Sequence, residues 1–264
     1  MGIVQGATEF LPVSSSGHLV LVPWVLGWQP PGVAFDAILH LGTLLAVVGV
    51  FWRELRGLLK SLALSIKERS LSGAPERKVA WLLVLATLPA VVVGFLFEDL
   101  FATLFARPAW VGALLLFTGS FLAASERWSR RALESNELSW LDAAIIGIAQ
   151  AAAIAPGISR SGATISAGLW RGLRREASAR FSFLLSVPII AGAGLFEAKA
   201  LLDAPDAGMS LLVLLGGFLA AAISGFVSIA FLLSYLRTRR LYPFAVYCWA
   251  AGSLAVALSL FSNR

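Results

Sequence analysis

Apolar residues in this chain gather into long runs separated by short charged segments. Six runs are long enough to cross a hydrocarbon core of about 30 Å at about 1.5 Å per helical residue. They are roughly Ala34–Trp52, Val79–Phe97, Pro108–Ser125, Phe181–Lys199, Met209–Leu236 and Leu241–Phe261. Two further apolar regions, Met1–Gly27 and Trp140–Trp170, are interrupted midway. One breaks near Pro12-Val13-Ser14-Ser15-Ser16-Gly17, the other near Pro156-Gly157-Ile158-Ser159-Arg160-Ser161-Gly162. Each flanking piece is about 10 to 16 residues, too short to cross alone. The pattern predicts a bent span or a pair of half-helices in each region.

The charges decide between these. Segment 53–78 holds seven Lys/Arg; 126–139 holds Arg127, Arg130 and Arg131; 171–180 holds Arg171, Arg174, Arg175 and Arg180; Arg237, Arg239 and Arg240 follow. Together they carry 17 of the 21 basic residues. Excess Lys/Arg marks cytoplasmic loops, so all four segments are expected inside. Loops 98–107 (Glu98, Asp99) and 200–208 (Asp203, Asp206) are expected outside. Trp140–Trp170 then enters and leaves by the inner face, as a re-entrant hairpin. Met1–Gly27 is best read as a second hairpin, entering from outside. The hairpins also match in sequence at an offset of 145: Gly2-Ile3-Val4-Gln5 with Gly147-Ile148-Ala149-Gln150, and Ser14, Ser16 and Gly17 with Ser159, Ser161 and Gly162. The expected fold is an all-α integral membrane domain spanning 1–264, with about six transmembrane helices and two re-entrant hairpins. Its halves, about 1–125 and 140–264, form an inverted-topology repeat, whose interface typically holds the site.

Composition agrees. Hydrophobic residues make up 58% and charged residues 14%, against about 25% charged in a soluble protein. Trp52, Trp110 and Trp140 suit interfacial anchors. The net charge of +6 does not signal nucleic acid, because its carriers sit in loops between apolar runs. The single cysteine, Cys248, excludes an internal disulfide. Met1 stands directly before a polar motif with no basic leader, so the native N-terminus is expected to extend further.

Irregular backbone at membrane depth persists only where protein or a watery cavity satisfies it, and ionisable groups there point to function. The two breaks supply Glu9, His18 and Arg160, surrounded by Gln5, Ser14, Ser15, Ser16, Ser159, Ser161 and Thr164. This set suits phosphate. Arg160 offers a planar fork of donors, and hydroxyls and half-helix N-termini add more. Glu9 is suited to hold a cation, act as a base or orient His18. Ser15 and His18 are the candidate nucleophiles or proton carriers. His40 reads as structural, Asp36 and Glu197 as interfacial, and the loop arginines as topology signals. Inverted repeats with broken helices also mark transporters, so a carrier of prenyl phosphate lipid is the alternative to an enzyme.

The run Gly2-Ile3-Val4-Gln5-Gly6-Ala7-Thr8-Glu9-Phe10-Leu11-Pro12-Val13-Ser14-Ser15-Ser16-Gly17-His18 resembles the first signature of the bacterial undecaprenyl-diphosphatase family, the bacitracin-resistance enzymes. Pro156-Gly157-Ile158-Ser159-Arg160-Ser161-Gly162-Ala163-Thr164 resembles the second; Ala179-Arg180-Phe181-Ser182-Phe183-Leu184 and His40-Leu41-Gly42-Thr43 are similar to the family too. The resemblance implies a phosphatase of the bacterial inner membrane that converts undecaprenyl diphosphate to the monophosphate carrier for peptidoglycan synthesis. It also implies dependence on a divalent cation, Mg²⁺ or Ca²⁺, and a site open to the periplasm. The family's first signature has Glu or Gln, then Glu four residues on; Gln5 and Glu9 stand here, one carboxylate fewer than the two-Glu form. The family's histidine falls on His18, its serines on Ser14 and Ser15, its arginine on Arg160. The expected roles are Ser15 as nucleophile with His18 as acid/base, the reverse standing next. Glu9 would hold the metal or activate the nucleophile, and Gln5, Ser14, Ser16, Ser159, Ser161 and Thr164 would bind substrate. A second lipid-phosphatase superfamily also pairs Ser-Gly-His with Ser-Arg, but requires a later histidine, and none follows His40.

Overall fold

The computed structural model describes residues 1–29, 32–129, 132–203 and 210–262. The expectations at Arg130, Arg131, Asp206 and Met209 lie outside the described residues, as do the side chains of Glu98, Asp99, Glu197 and Asp203. Helices in order are α1 (Gly2–Phe10), α2 (Ser15–Leu26), α3 (Val33–Glu68), α4 (Pro75–Leu96), α5 (Glu98–Phe105), α6 (Pro108–Trp128), α7 (Trp140–Ala152), α8 (Arg160–Trp170), α9 (Arg175–Asp203), α10 (Leu211–Leu236) and α11 (Tyr242–Ser262). Six of them, α3, α4, α6, α9, α10 and α11, are long and apolar enough to cross a membrane. The two interrupted regions fold as the short pairs α1/α2 and α7/α8. The chain is an all-helical, multi-pass membrane protein.

Three boundaries differ from the sequence reading: Glu98–Phe105, expected within a loop, forms the short helix α5, and α9 begins already at Arg175 rather than at Phe181; the third is at α3. The basic segment after Trp52 is not a loop, because α3 continues to Glu68 with helical geometry lapsing only at Phe51 (φ −101°, ψ 17°). Leu55, Leu58 and Leu62 recur at three- and four-residue spacing and pack on the core, so one apolar stripe carries the helix past the charged residues.

The basic segments converge at one end of the bundle. Arg180 pairs with Glu54 (3.5 Å), Arg237 with Glu176 (3.3 Å), and Lys78 Nζ donates to the Asn136 carbonyl (3.2 Å). Arg175 grips buried Glu126 through two bonds, of 2.7 and 2.8 Å. Arg171, after α8, pairs with Asp142 in the first turn of α7, so α7 and α8 start and finish at this same end. At the opposite end, the start of α1 lies on α10 at Gly217, while Trp24 of α2 stands beside Arg107 and Trp110.

Lipid offers apolar side chains as good a home as protein does, so helices in a membrane associate through close packing of small residues. The outer surface is accordingly apolar: Leu212 is 82% exposed and Phe95 75%. Inside, α1 packs on α10 and α7 on α4. The matched glycines are the contact points. A Cβ on Gly2 would lie 2.5 Å from Gly217 O, and one on Gly147 2.7 Å from Ala86 O. On Gly6 it would meet Ser224 Oγ at 2.0 Å and Ala221 O at 2.4 Å. Gly49 faces open space. Gly6→Leu is therefore expected to destabilise the chain by about 1–3 kcal/mol or more, and Gly49→Ala to leave it unchanged. Thermal unfolding of the two variants in detergent checks this; equal midpoints would refute the close α1–α10 contact.

Candidate active site

The chain breaks after α1 and α7 build two similar tips. Ser14 caps α2 by accepting from Gly17 N (3.2 Å), and Ser159 caps α8 by accepting from Gly162 N (3.0 Å). These are N-cap bonds, each satisfying a donor the helix cannot. The cap hydroxyl lies near the second serine in both tips: Ser14–Ser16 at 3.3 Å and Ser159–Ser161 at 3.2 Å. Each tip turns through a left-handed residue, Ser14 (φ 71°) in one and Gly157 (φ 103°) in the other. For Ser14 that conformation costs on the order of 1 kcal/mol or more.

The middle residues of the two Ser-X-Ser elements are Ser15 and Arg160, and both bind the carboxylate of Glu9. Arg160 Nη2 donates to Glu9 Oε1 at 2.6 Å, and Ser15 Oγ donates to Oε2 at 2.6 Å. Gln5 Nε2, one turn back on α1, also donates to Oε2 (3.1 Å). Arg160 Nη1 donates to the Ser182 carbonyl (3.2 Å). A guanidinium has five N–H donors, so Arg160 keeps donors beyond these two. Ser161 Oγ donates to Leu11 O (3.1 Å), latching the second tip onto the first.

A cavity of about 160 Å³ opens on this cluster. Glu9, Ser15, Ser16 and Arg160 line it together with His40 of α3 and Gln150 of α7, and Ile154, Ile158, Ile189 and Ile190 form much of its apolar wall. A larger concavity of about 390 Å³ near Trp24, Arg107 and Trp110 is lined by no acid–base pair, so the smaller one is the candidate site.

The structure thus brings Glu9, Ser15, Ser16 and Arg160 together at the cavity, with Gln5 behind Glu9. Ser14 and Ser159 are engaged as caps, and Thr164 Oγ1 bonds the Arg160 carbonyl (2.8 Å) and the Ser182 hydroxyl (2.6 Å). His18 stands apart from the cavity wall. Its Nδ1 donates to the Ser14 carbonyl (2.7 Å), so its Nε2 accepts from the Tyr247 hydroxyl (2.7 Å), with the two rings stacked. Sequence reasoning missed His40, Gln150 and Tyr247 as partners in this region. The match of Gln150 with Gln5 was the available signal for one of them; nothing local marked Tyr247.

Among the described residues no cluster of three or more His, Cys, Asp or Glu offers a ready metal cage. Mg²⁺, however, commonly binds through one or two carboxylates plus substrate phosphates and water. Glu9 and the buried Gln5 Oε1, which has no hydrogen-bond partner, are oxygen donors that fit such an ion.

Comparison with known proteins gives the same direction. The family model described as bacitracin resistance protein BacA matches residues 1–254. An undecaprenyl-diphosphatase of Methanosphaera stadtmanae is 44% identical over 98% of this chain and 96% of its own length. Those of Pelotomaculum thermopropionicum and Moorella thermoacetica are each 44% identical over 98% of this chain, covering 94% and 95% of theirs.

Removing one partner of a buried ion pair leaves an uncompensated charge, at a cost of about 3–5 kcal/mol. Glu9→Ala is therefore expected to lower the unfolding midpoint clearly, and a second change, Arg160→Met, to restore part of the loss. A double-mutant cycle on thermal unfolding measures the coupling. A coupling near zero would show that the pair does not join the tips.

Proposed function

Because the chain belongs to the bacitracin resistance protein BacA family, we propose that it is a membrane-embedded undecaprenyl-diphosphatase. It hydrolyses the phosphoric anhydride of undecaprenyl diphosphate to undecaprenyl phosphate and inorganic phosphate, recycling the lipid carrier of peptidoglycan synthesis. The observation that carries this reading is the Ser15–Glu9–Arg160 cluster in the wall of a cavity whose remaining lining is largely apolar. At about 160 Å³ the cavity suits a diphosphate head group, and the prenyl chain stays in lipid.

Arg160 and Ser16 bind the terminal phosphate, and Arg160 offsets the charge that gathers on its oxygens in the transition state. Ser15 attacks the terminal phosphorus. Its proton passes to Glu9 Oε2, with which it already shares a short hydrogen bond, and on to the departing monophosphate oxygen. Water then cleaves the phosphoserine. His18 acts one step back: its bond to the Ser14 carbonyl holds the turn that presents Ser15. A Mg²⁺ or Ca²⁺ ion held by Glu9 and Gln5 would supply Lewis-acid neutralisation of the diphosphate.

The chain is proposed to lie in the bacterial inner membrane with its basic end in the cytoplasm. In that setting α1/α2 and α7/α8 are re-entrant hairpins from opposite faces, and the halves form an inverted repeat within one membrane domain. The matched caps and the crossed packing of α1 on α10 and α7 on α4 support this arrangement. The site would open toward the periplasm.

Purified chain in detergent, given undecaprenyl diphosphate and Mg²⁺ or Ca²⁺, is expected to release phosphate. Ser15→Ala and Glu9→Gln, while still folded, should lower that release by about 100-fold or more. A folded parent that releases none, yet moves prenyl phosphate between the leaflets of vesicles, would be a carrier instead.

A further inference from the structure

Gln150 has no role in the chemistry described so far, and its amide is incompletely satisfied. The residue is 1% exposed and lines the cavity beside Glu9, Ser15 and Arg160. Its Nε2 donates to the Ala86 carbonyl of α4 (3.2 Å), which fixes which end of the amide is which: turned over, it would set two carbonyl oxygens against each other. Oε1 remains, buried and without a hydrogen-bond donor. Leaving such an acceptor unsatisfied costs about 1–3 kcal/mol. The backbone behind it is rigid, since Gly147 on the same helix touches the α4 backbone at Ala86, allowing no side chain between.

The other cavity groups near the phosphate, Arg160, Ser15 and Ser16, offer donors. A phosphate oxygen seeks those donors, and a lone acceptor repels it. The reactant that brings hydrogens is water. A water molecule attacks phosphorus through a lone pair, so both its hydrogens must be held by acceptors pointing away. Glu9 supplies one such acceptor, and Gln150 Oε1 is the second.

We propose that Gln150 is the residue that positions the hydrolytic water, an inference that rests on the phosphatase reading above. The water donates one hydrogen to Glu9 and the other to Gln150 Oε1. Its oxygen bonds to the phosphorus carried by Ser15 as the P–Oγ bond breaks. The electron pair returns to Ser15 Oγ, which takes the proton that Glu9 received from the water. The hydrogen held by Gln150 stays on the released phosphate, and the glutamine itself neither gains nor loses a proton.

The test uses the full chain in detergent with undecaprenyl diphosphate, saturating cation and a fixed concentration of methanol, which competes with water for the phosphoryl group. Inorganic phosphate and methyl phosphate are both measured. Gln150→Leu keeps the shape and removes the acceptor. It is expected to lower kcat for phosphate release by roughly 10- to 100-fold, with KM falling in parallel so that kcat/KM is retained, and to raise the methyl phosphate to phosphate ratio several-fold. Gln150→Glu, whose protonated form keeps both a donor to the Ala86 carbonyl and the free acceptor, should return the ratio toward that of the unaltered chain. An unchanged ratio in a folded Gln150→Leu chain overturns the proposal. So does recovery of its kcat at higher cation concentration, which would make Gln150 a metal ligand. If Gln150→Leu does not fold, Gln150→Met gives the same comparison. Absence of phosphate release from the unaltered chain, by contrast, removes the phosphatase reading itself.

Discussion

One carboxylate holds this structure together where it is least regular. Glu9 lies on α1 and Arg160 on α8, 151 residues apart, yet they meet at 2.6 Å. Around them the chain leaves helical geometry twice inside the helix bundle, where unsatisfied backbone groups and lone charges are both expensive. The solution is mutual. The Arg–Glu pair neutralises its own charge, Ser14 and Ser159 cap the half-helices, and Ser161 spans from one tip to the other. A buried ion pair adds little net stability over an apolar replacement, so its value here lies in geometry and reactivity. It fixes the carboxylate to which Ser15 donates.

The supports of that pair are steric. In lipid, apolar surface alone does not bring helices together, and the close approach of α1 to α10 and of α7 to α4 runs through Gly2, Gly6 and Gly147. These contacts set the depth of α1 and α7, and therefore the positions of Glu9, Gln5 and Gln150. Bulk at any of the three glycines would displace the chemistry along with the fold.

Much of the architecture was legible because it follows from local rules. Run length distinguished the six long helices from the two interrupted pairs, and charge clustering indicated that four basic segments share one end. The ion pairs Arg175–Glu126, Arg180–Glu54 and Arg237–Glu176 now join those segments. The extension of α3 to Glu68 was less visible. Charged residues between Arg53 and Glu68 resemble a loop until Leu55, Leu58 and Leu62 are seen to share one buried stripe.

By itself the sequence determined the six long helices, the two tips and the residue types available to the site, but not the short helix α5. A helix or a break is dictated by its own few residues. Only the tertiary structure decided how each polar side chain is used, since that depends on which partner arrives from a distant element. Among the tip hydroxyls, Ser15 and Ser16 reach the cavity, while Ser14, Ser159, Ser161 and Thr164 are spent on backbone and neighbouring hydroxyls. His18 is turned to Tyr247, 229 residues away. His40, which no spacing rule assigned to the site, and Gln150, which only its match with Gln5 hinted at, stand in the cavity wall, because α3 and α7 pass there.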